Sequence, residues 1–334
     1  MMNWNIRELK RRGAELAGDA RESTRGLVLL YCGVLAVLTL GSSGLNLFLD
    51  DRISGTGGLG GLGMRSVLQT VQEVLSYVNL LFGPFWSMGF LAAMLAMVRG
   101  SAPEKRHLTA GFRRFGRVLA SIVFRFVLGL GLMVAAVNLG TTIFALTPMG
   151  TKYAETIAPI LSDPAIFTPE GVVNWELLPM DTFLRATMPV LLVCLAVFFL
   201  LYTYVSYCFR MADYLILTTS IGAIRAHFVS ARLLRGHKRQ LLKLDLSFWW
   251  YYLLLAAATV VGYLDLVLGL LGVAVPIDPM VMFFGTLAAY CVLFTALSLW
   301  KKCQVDAAYV LAFESIADPQ QEEPAAEADK KMSL

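Results

Sequence analysis

Two ionisable side chains, Arg125 and Asp265, interrupt otherwise apolar runs, and the amides of Asn79 and Asn138 are expected nearby in depth. An ionised group among apolar residues of bilayer-spanning length is costly unless it faces water or a partner, so these four define a candidate intramembrane polar site. The chemistry it would support is passage of a proton or a small solute. The plainer reading, and the favoured one, has Arg125 extend to the membrane interface with Asp213 as a partner, while Asp265 is protonated or hydrogen-bonded between helices.

Other chemistries lack their residues. His107, His227 and His237 lie in basic stretches with no second ligand at metal spacing, and neither C-x-x-C nor H-E-x-x-H occurs. There is no phosphate loop of the G-x-x-x-x-G-K-[ST] type and no G-x-S-x-G elbow. The glycine-rich stretch 50–63 satisfies G-x-G-x-x-G twice, from Gly55 and from Gly58. That motif works between a strand and a helix, whereas here it follows a long apolar run, so a flexible outer linker is expected. The acids Glu155, Asp163, Glu170, Glu176 and Asp181 are scattered among prolines with no register that would set two of them around a substrate, and 147–187 is expected to be a small cap. The expectation is a chain with no catalytic residue, no metal and no cofactor.

The elements that must carry these residues follow from composition. Of 334 residues 57% are apolar and only 16% charged, with a mean hydropathy of +0.65, whereas soluble domains are nearer a quarter charged. Six runs, 27–49, 74–98, 118–146, 188–209, 248–275 and 280–300, are each long enough at helical rise to cross a hydrocarbon core of about 30 Å. The fold class predicted is therefore all-α, a polytopic bundle of six transmembrane helices. Gly83-Pro84 predicts a bend in the second span, Pro189 suits the first turn of the fourth, and Pro276 to Pro279 reads as the turn of a closing hairpin.

Of the 28 Lys and Arg, 23 lie in the N-terminal segment, the 99–117 and 210–247 loops and the tail. Cytoplasmic loops retain such residues, so both termini and these loops are expected on the cytoplasmic face of the plasma membrane. Trp249, Trp250, Tyr251, Tyr252, Trp300, Tyr202, Tyr204 and Tyr207 are read as interfacial anchors. All five cysteines avoid the outer loops, so no disulfide is expected. The organisation is then an amphipathic N-terminal segment at 1–26, the membrane domain at 27–300 and a tail at 301–334, expected to be disordered from about 319 because it is rich in Glu, Ala and Gln.

Ile6, Leu9, Gly13, Leu16 and Ala20 recur at helical spacing with Arg7, Lys10, Arg11 and Glu15 on the other faces, reading equally as an interfacial helix or as an ordinary charged lead-in. A second amphipathic helix is predicted over 221–234, with Ile224, Phe228, Ala231 and Leu234 or Arg235 on its apolar stripe, lying at the membrane surface. Arg232, Arg235, Lys238, Arg239 and Lys243 there form a candidate surface for anionic lipid headgroups or a protein partner.

This same stretch carries a resemblance. Ser230-x-x-Leu233-Leu234-x-Gly236-x-Lys238, followed by Leu244-x-Leu246-Ser247-Phe248 and Trp250, is similar to the signature of a bacterial family of six-helix integral membrane proteins containing a domain of unknown function. Ile6 to Arg12 and Gly111-Phe112-Arg113-Arg114-Phe115 resemble two further stretches of that family, which would extend the likeness over nearly the whole chain. Leu234 replaces the usual Met, and Pro276-Ile277 the usual Pro-Tyr. A more distant likeness is to the membrane domain fused to some glycerophosphodiesterases, whose catalytic barrel is absent here. The resemblance implies a fold and a membrane location but no activity.

The functional expectation is a non-enzymatic membrane scaffold or accessory subunit, binding lipids, a membrane-protein partner or a second copy of itself, and no nucleic acid. The competing reading is a small-solute transporter or exporter using Arg125 and Asp265.

Overall fold

The computed structural model describes residues 5–55, 61–162, 180–270 and 276–317. Among them every regular element is a helix, as expected of backbone that has no water to satisfy its polar groups. The order begins α1 (Ile6–Asp19), α2 (Arg21–Gly55) and α3 (Gly61–Val98), then a 3-10 turn (Lys105–Thr109), α4 (Ala110–Arg113), α5 (Phe115–Ala145) and α6 (Pro148–Ser162). It continues through α7 (Met180–Phe209), α8 (Ala212–Thr218), α9 (Ala223–Leu233), α10 (Lys238–Ser247), α11 (Trp249–Gly262) and α12 (Leu264–Leu270). The chain ends as α13 (Pro279–Leu297), a π-helical turn (Ser298–Lys302) and α14 (Cys303–Ala317).

Among the described residues five stretches are long and apolar enough to cross a membrane: Arg21–Leu49, Leu80–Val98, Phe115–Ala145, Thr187–Thr218 and Met280–Ala317. A sixth exists if α10 and α11, which meet at 66°, are counted as one broken span. Phe126, Leu200 and Val292 are each more than three-fifths exposed. Apolar surface on that scale is stable only where the surrounding solvent is itself apolar, which makes this a polytopic membrane bundle.

Several boundaries differ from expectation. The stretch 50–63 is helical up to Gly55 and again from Gly61, and the remainder of the expected linker, 56–60, lies outside the described residues. Pro189 is inside α7 rather than in its first turn, because the helix starts nine residues upstream at Met180; the ring leaves the carbonyl four residues back without its usual donor. Helix continues past the expected end of the last span at 300 as far as Ala317, with Val305, Ala308, Tyr309, Val310 and Phe313 buried, and the part of the tail expected to be disordered, from about 319, lies outside the described residues. Those residues fall at i, i+3, i+4, i+5 and i+8, a helical signal overshadowed by the cations at 301 and 302. Tyr251 is buried rather than at an interface, whereas Trp249 and Trp250 are exposed.

The chain divides into two compact units, Met1–Ala120 with Met211–Leu334, and Ser121–Arg210. In the first, α1 packs along α14, α2 along α3 and α13, and α11 along α13. Gly13 permits the first of these contacts, since a Cβ there would stand 3.0 Å from the Gln304 carbonyl oxygen. The apolar face of α1 is thus occupied by protein. In the second unit Gly140 lets α5 approach α7, with a Cβ there falling 2.8 Å from Cys194 Cα. α6 caps this unit through buried Ile157 and an edge contact between Phe144 and Tyr153 at 5.8 Å, and the rest of the expected cap, 163–179, lies outside the described residues.

Candidate functional site

The most densely specified local structure runs from Met211 to Phe248. α9 buries Ala223, Ala226, His227 and Ser230 against α8, a stripe of mostly small side chains that allows two helices to approach closely. His227 is fully buried and its Nδ1 lies 2.9 Å from the Ala223 carbonyl oxygen, so it serves the helix interior. Ser230 Oγ accepts the Met211 backbone N–H at 3.1 Å, tying α9 to the start of α8.

Of the apolar stripe expected for this helix at a membrane surface, Leu234 is buried and the larger residues lie away from that packing. Ile224 and Phe228 are 53% and 54% exposed, and they share the outward side with Arg225, Arg232 and Arg235. Here the interior selects small residues instead.

Gly236 adopts φ +94°, a left-handed conformation that side chains with a Cβ resist, and so turns the chain from α9 into α10. α10 then buries Leu241 and Leu244 and exposes Arg239, Leu242, Lys243 and Leu246. At its end the Ser247 carbonyl accepts the Lys10 ammonium at 2.8 Å, and the same ammonium stands 4.8 Å from the centre of the buried Phe248 ring. Phe248 is the hinge at which α10 meets α11 at 66°. The outer surface of this elbow therefore interleaves Arg232, Arg235, Arg239 and Lys243 with Leu242, Leu246, Trp249 and Trp250. Lys238 is half-buried at the first position of α10.

A family model described as Protein of unknown function (DUF975) matches residues 56–268, well over half of the chain. The chain belongs to this family. No curated protein and no solved structure matches it. The matched region contains the whole of Ser230 to Phe248, and the structure explains the expected signature: Ser230 as a buried acceptor, Gly236 as a left-handed turn, Leu244 as core, Ser247 and Phe248 as the elbow. Leu246 and Trp250 among its apolar members face outward, each at 59% exposure. The N-terminal residues 6–12 and helices α13 and α14 fall outside the match, so the likeness is narrower than nearly the whole chain.

The second stretch of the signature, Gly111 to Phe115, also has a structural cause. A Cβ at Gly111 would overlap the Phe85 carbonyl, and the Phe85 ring stacks on Phe112 and Phe115 at 5.3 and 5.0 Å. The adjoining arginines close α8: Arg114 donates to the Ile216 carbonyl at 2.5 Å and Arg117 to the Thr219 carbonyl at 2.6 Å. Partial burial, and then the charge of Arg117, pull the Arg114 guanidinium below its ordinary value.

The four residues of the candidate intramembrane polar site fall on three helices, α3, α5 and α12. Arg125 and Asn138 are both exposed on α5, thirteen residues or about 20 Å apart along the helix axis, and the Asn138 amide donates to the Val134 carbonyl of its own helix at 2.8 Å. Asp265 is half-buried in the first turn of α12, in the other unit. Asn79 is on α3, with its side chain outside the described residues. Sequence reasoning missed a different charge. Lys302, counted among tail cations, is turned inward by the π-helical turn, pairs with Asp306 at 3.1 Å and lies 4.9 Å from the Phe90 ring centre. Its i, i+4 spacing from Asp306 was the available signal.

Proposed function

We propose that this protein is a non-enzymatic membrane scaffold or accessory subunit whose α9–α10 elbow engages the anionic headgroup layer on the cytoplasmic side of the cell membrane. The observation that carries the reading is the exposed face of the elbow, in which Arg239 and Lys243 alternate with Leu242 and Leu246 and lead into exposed Trp249 and Trp250. Apolar side chains enter the headgroup zone while cations stay at phosphate level, each worth about 1 kcal/mol near an anionic surface. The 66° bend lets α10 lie in the interface while α11 enters the hydrocarbon. A protein partner on the same face is the neighbouring possibility.

The test is extraction of the intact chain in native-lipid polymer discs, with mass-spectrometric identification of retained lipids and proteins. Enrichment of anionic over zwitterionic phospholipid relative to the bulk membrane, reduced in an R235Q/R239Q/K243Q variant, is expected. Equal retention by wild type and variant removes the elbow reading, and a stoichiometric small solute on a lone chain would replace it with transport.

A further inference from the structure

Cations from the two ends of the chain converge on one groove of about 650 Å³. Because α1 packs on α14 and α2 on α13, the N-terminal and C-terminal segments run antiparallel, and the junction of α1 and α2 lies beside the π-helical turn. Arg21 and Arg25 line one wall, one helical turn apart, and Lys301 lines the other. Lys301 is held there by the Gln304 side-chain oxygen at 2.8 Å and stands 5.3 Å from the centre of the Trp300 ring. Neither arginine side chain makes a hydrogen bond or ion pair among the described residues, and no lining residue is acidic. Further along each wall the lining becomes apolar, with Val28 and Leu29 on α2 facing Ala296 and Leu299 opposite.

We infer that this groove is a binding site for one anionic phospholipid, its phosphate among Arg21, Arg25 and Lys301 and the start of an acyl chain along Val28, Leu29 and Leu299. The polarity of both walls changes in the same direction, which is the polarity of a lipid at the edge of a bilayer. A general rule that cations stay on one side of a membrane requires the charges but not their convergence from residues 21, 25 and 301 onto one cavity. Three cations without an acid also discriminate against a headgroup that carries its own positive charge. The inference rests on the lipid-binding reading for its orientation only and concerns residues separate from the α9–α10 elbow.

The test uses the purified full chain in neutral detergent, titrated with phosphatidylglycerol, with phosphatidylcholine of the same acyl chains and with inorganic phosphate, binding being read by native mass spectrometry and by the shift in thermal unfolding. Phosphatidylglycerol is expected to bind at least tenfold more tightly than phosphatidylcholine, and phosphate to give no comparable stabilisation. R21Q/R25Q should weaken phosphatidylglycerol at least tenfold, while R21K/R25K retains most of it. Gly18 lines the groove, and a Cβ there meets nothing within 4 Å, so G18L should block the groove without disturbing the helix. Equal binding of the two lipids, phosphate matching phosphatidylglycerol, or unchanged binding in both R21Q/R25Q and G18L would each overturn the inference. Loss confined to R239Q/K243Q would overturn it while leaving the elbow reading intact, and loss confined to R21Q/R25Q and G18L would support the groove alone.

Discussion

Replacing Ser230 by Ala removes the acceptor for a backbone donor that has left water. The Met211 residue is fully buried, and Ser230 is fully buried too, so water cannot replace the 3.1 Å hydrogen bond between them without opening the α8–α9 contact. Leaving one buried donor unsatisfied costs about 1–3 kcal/mol, which lowers the folded-to-unfolded ratio roughly 5- to 140-fold. Unfolding of the purified protein in mixed micelles, followed by circular dichroism, measures the loss, and hydrogen exchange at the Met211 amide locates it. A matched control is Ser315→Ala, whose hydroxyl donates to the Ala312 carbonyl of its own helix at 2.9 Å and strands no donor when removed. That change should cost under about 0.5 kcal/mol. Equal stability of Ser230→Ala and Ser315→Ala, with Met211 still protected from exchange, would refute the claim that the signature serine is there to satisfy this amide.

Two further perturbations probe other joints. Gly140→Val forces a Cβ to within 2.8 Å of Cys194 Cα, so α5 and α7 must separate at a cost of about 1–3 kcal/mol; a lower unfolding midpoint and faster maleimide labelling of Cys194 are expected, and an unchanged midpoint would contradict the close approach. In α1, Arg11 and then Arg12 hold the Glu8 carboxyl below its ordinary value of 4.5. A depressed folded-state value means the ion pairs contribute fully above that ordinary value and are lost as pH falls through the lowered one. Protection from hydrogen exchange across Ile6–Asp19, corrected for the intrinsic pH dependence of exchange, should therefore fall only on acidification past 4.5, and Glu8→Gln should abolish the step.

The depth to which sequence reasoning reached differs between the two amphipathic segments. The helix over 6–20 was legible from its spacing, and its residues Ile6, Leu9 and Gly13 do lie on one face; that this face meets α14 depends on Gln304 and Ala308, at the far end of the sequence. The helix over 221–234 was equally legible as an amphipathic element at a membrane surface, but which of its residues meet α8 was not. Ile224 and Phe228 face out because the interior contact with α8 is made by Ala223, Ala226 and Ser230, whose small size lets the backbones close. The same physics hid the groove at Arg21, Arg25 and Lys301, since no local pattern brings residue 301 to residue 25.

Composition and hydropathy alone determined that this chain is an all-α membrane protein, because uninterrupted apolar runs of about 20 residues have the length of spanning helices, whereas barrel strands are about half as long and alternate in polarity. The residues of the family signature were likewise readable as letters in a row. Which side of each helix is inside, which cations are consumed by carbonyls and which remain exposed were decided only by tertiary packing. Arg114 and Lys10 end on backbone oxygens while Arg239 and Lys243 do not, and nothing in their immediate sequence distinguishes them. The difference arises from which helix termini happen to be brought within reach of each side chain, a relation set by the whole bundle.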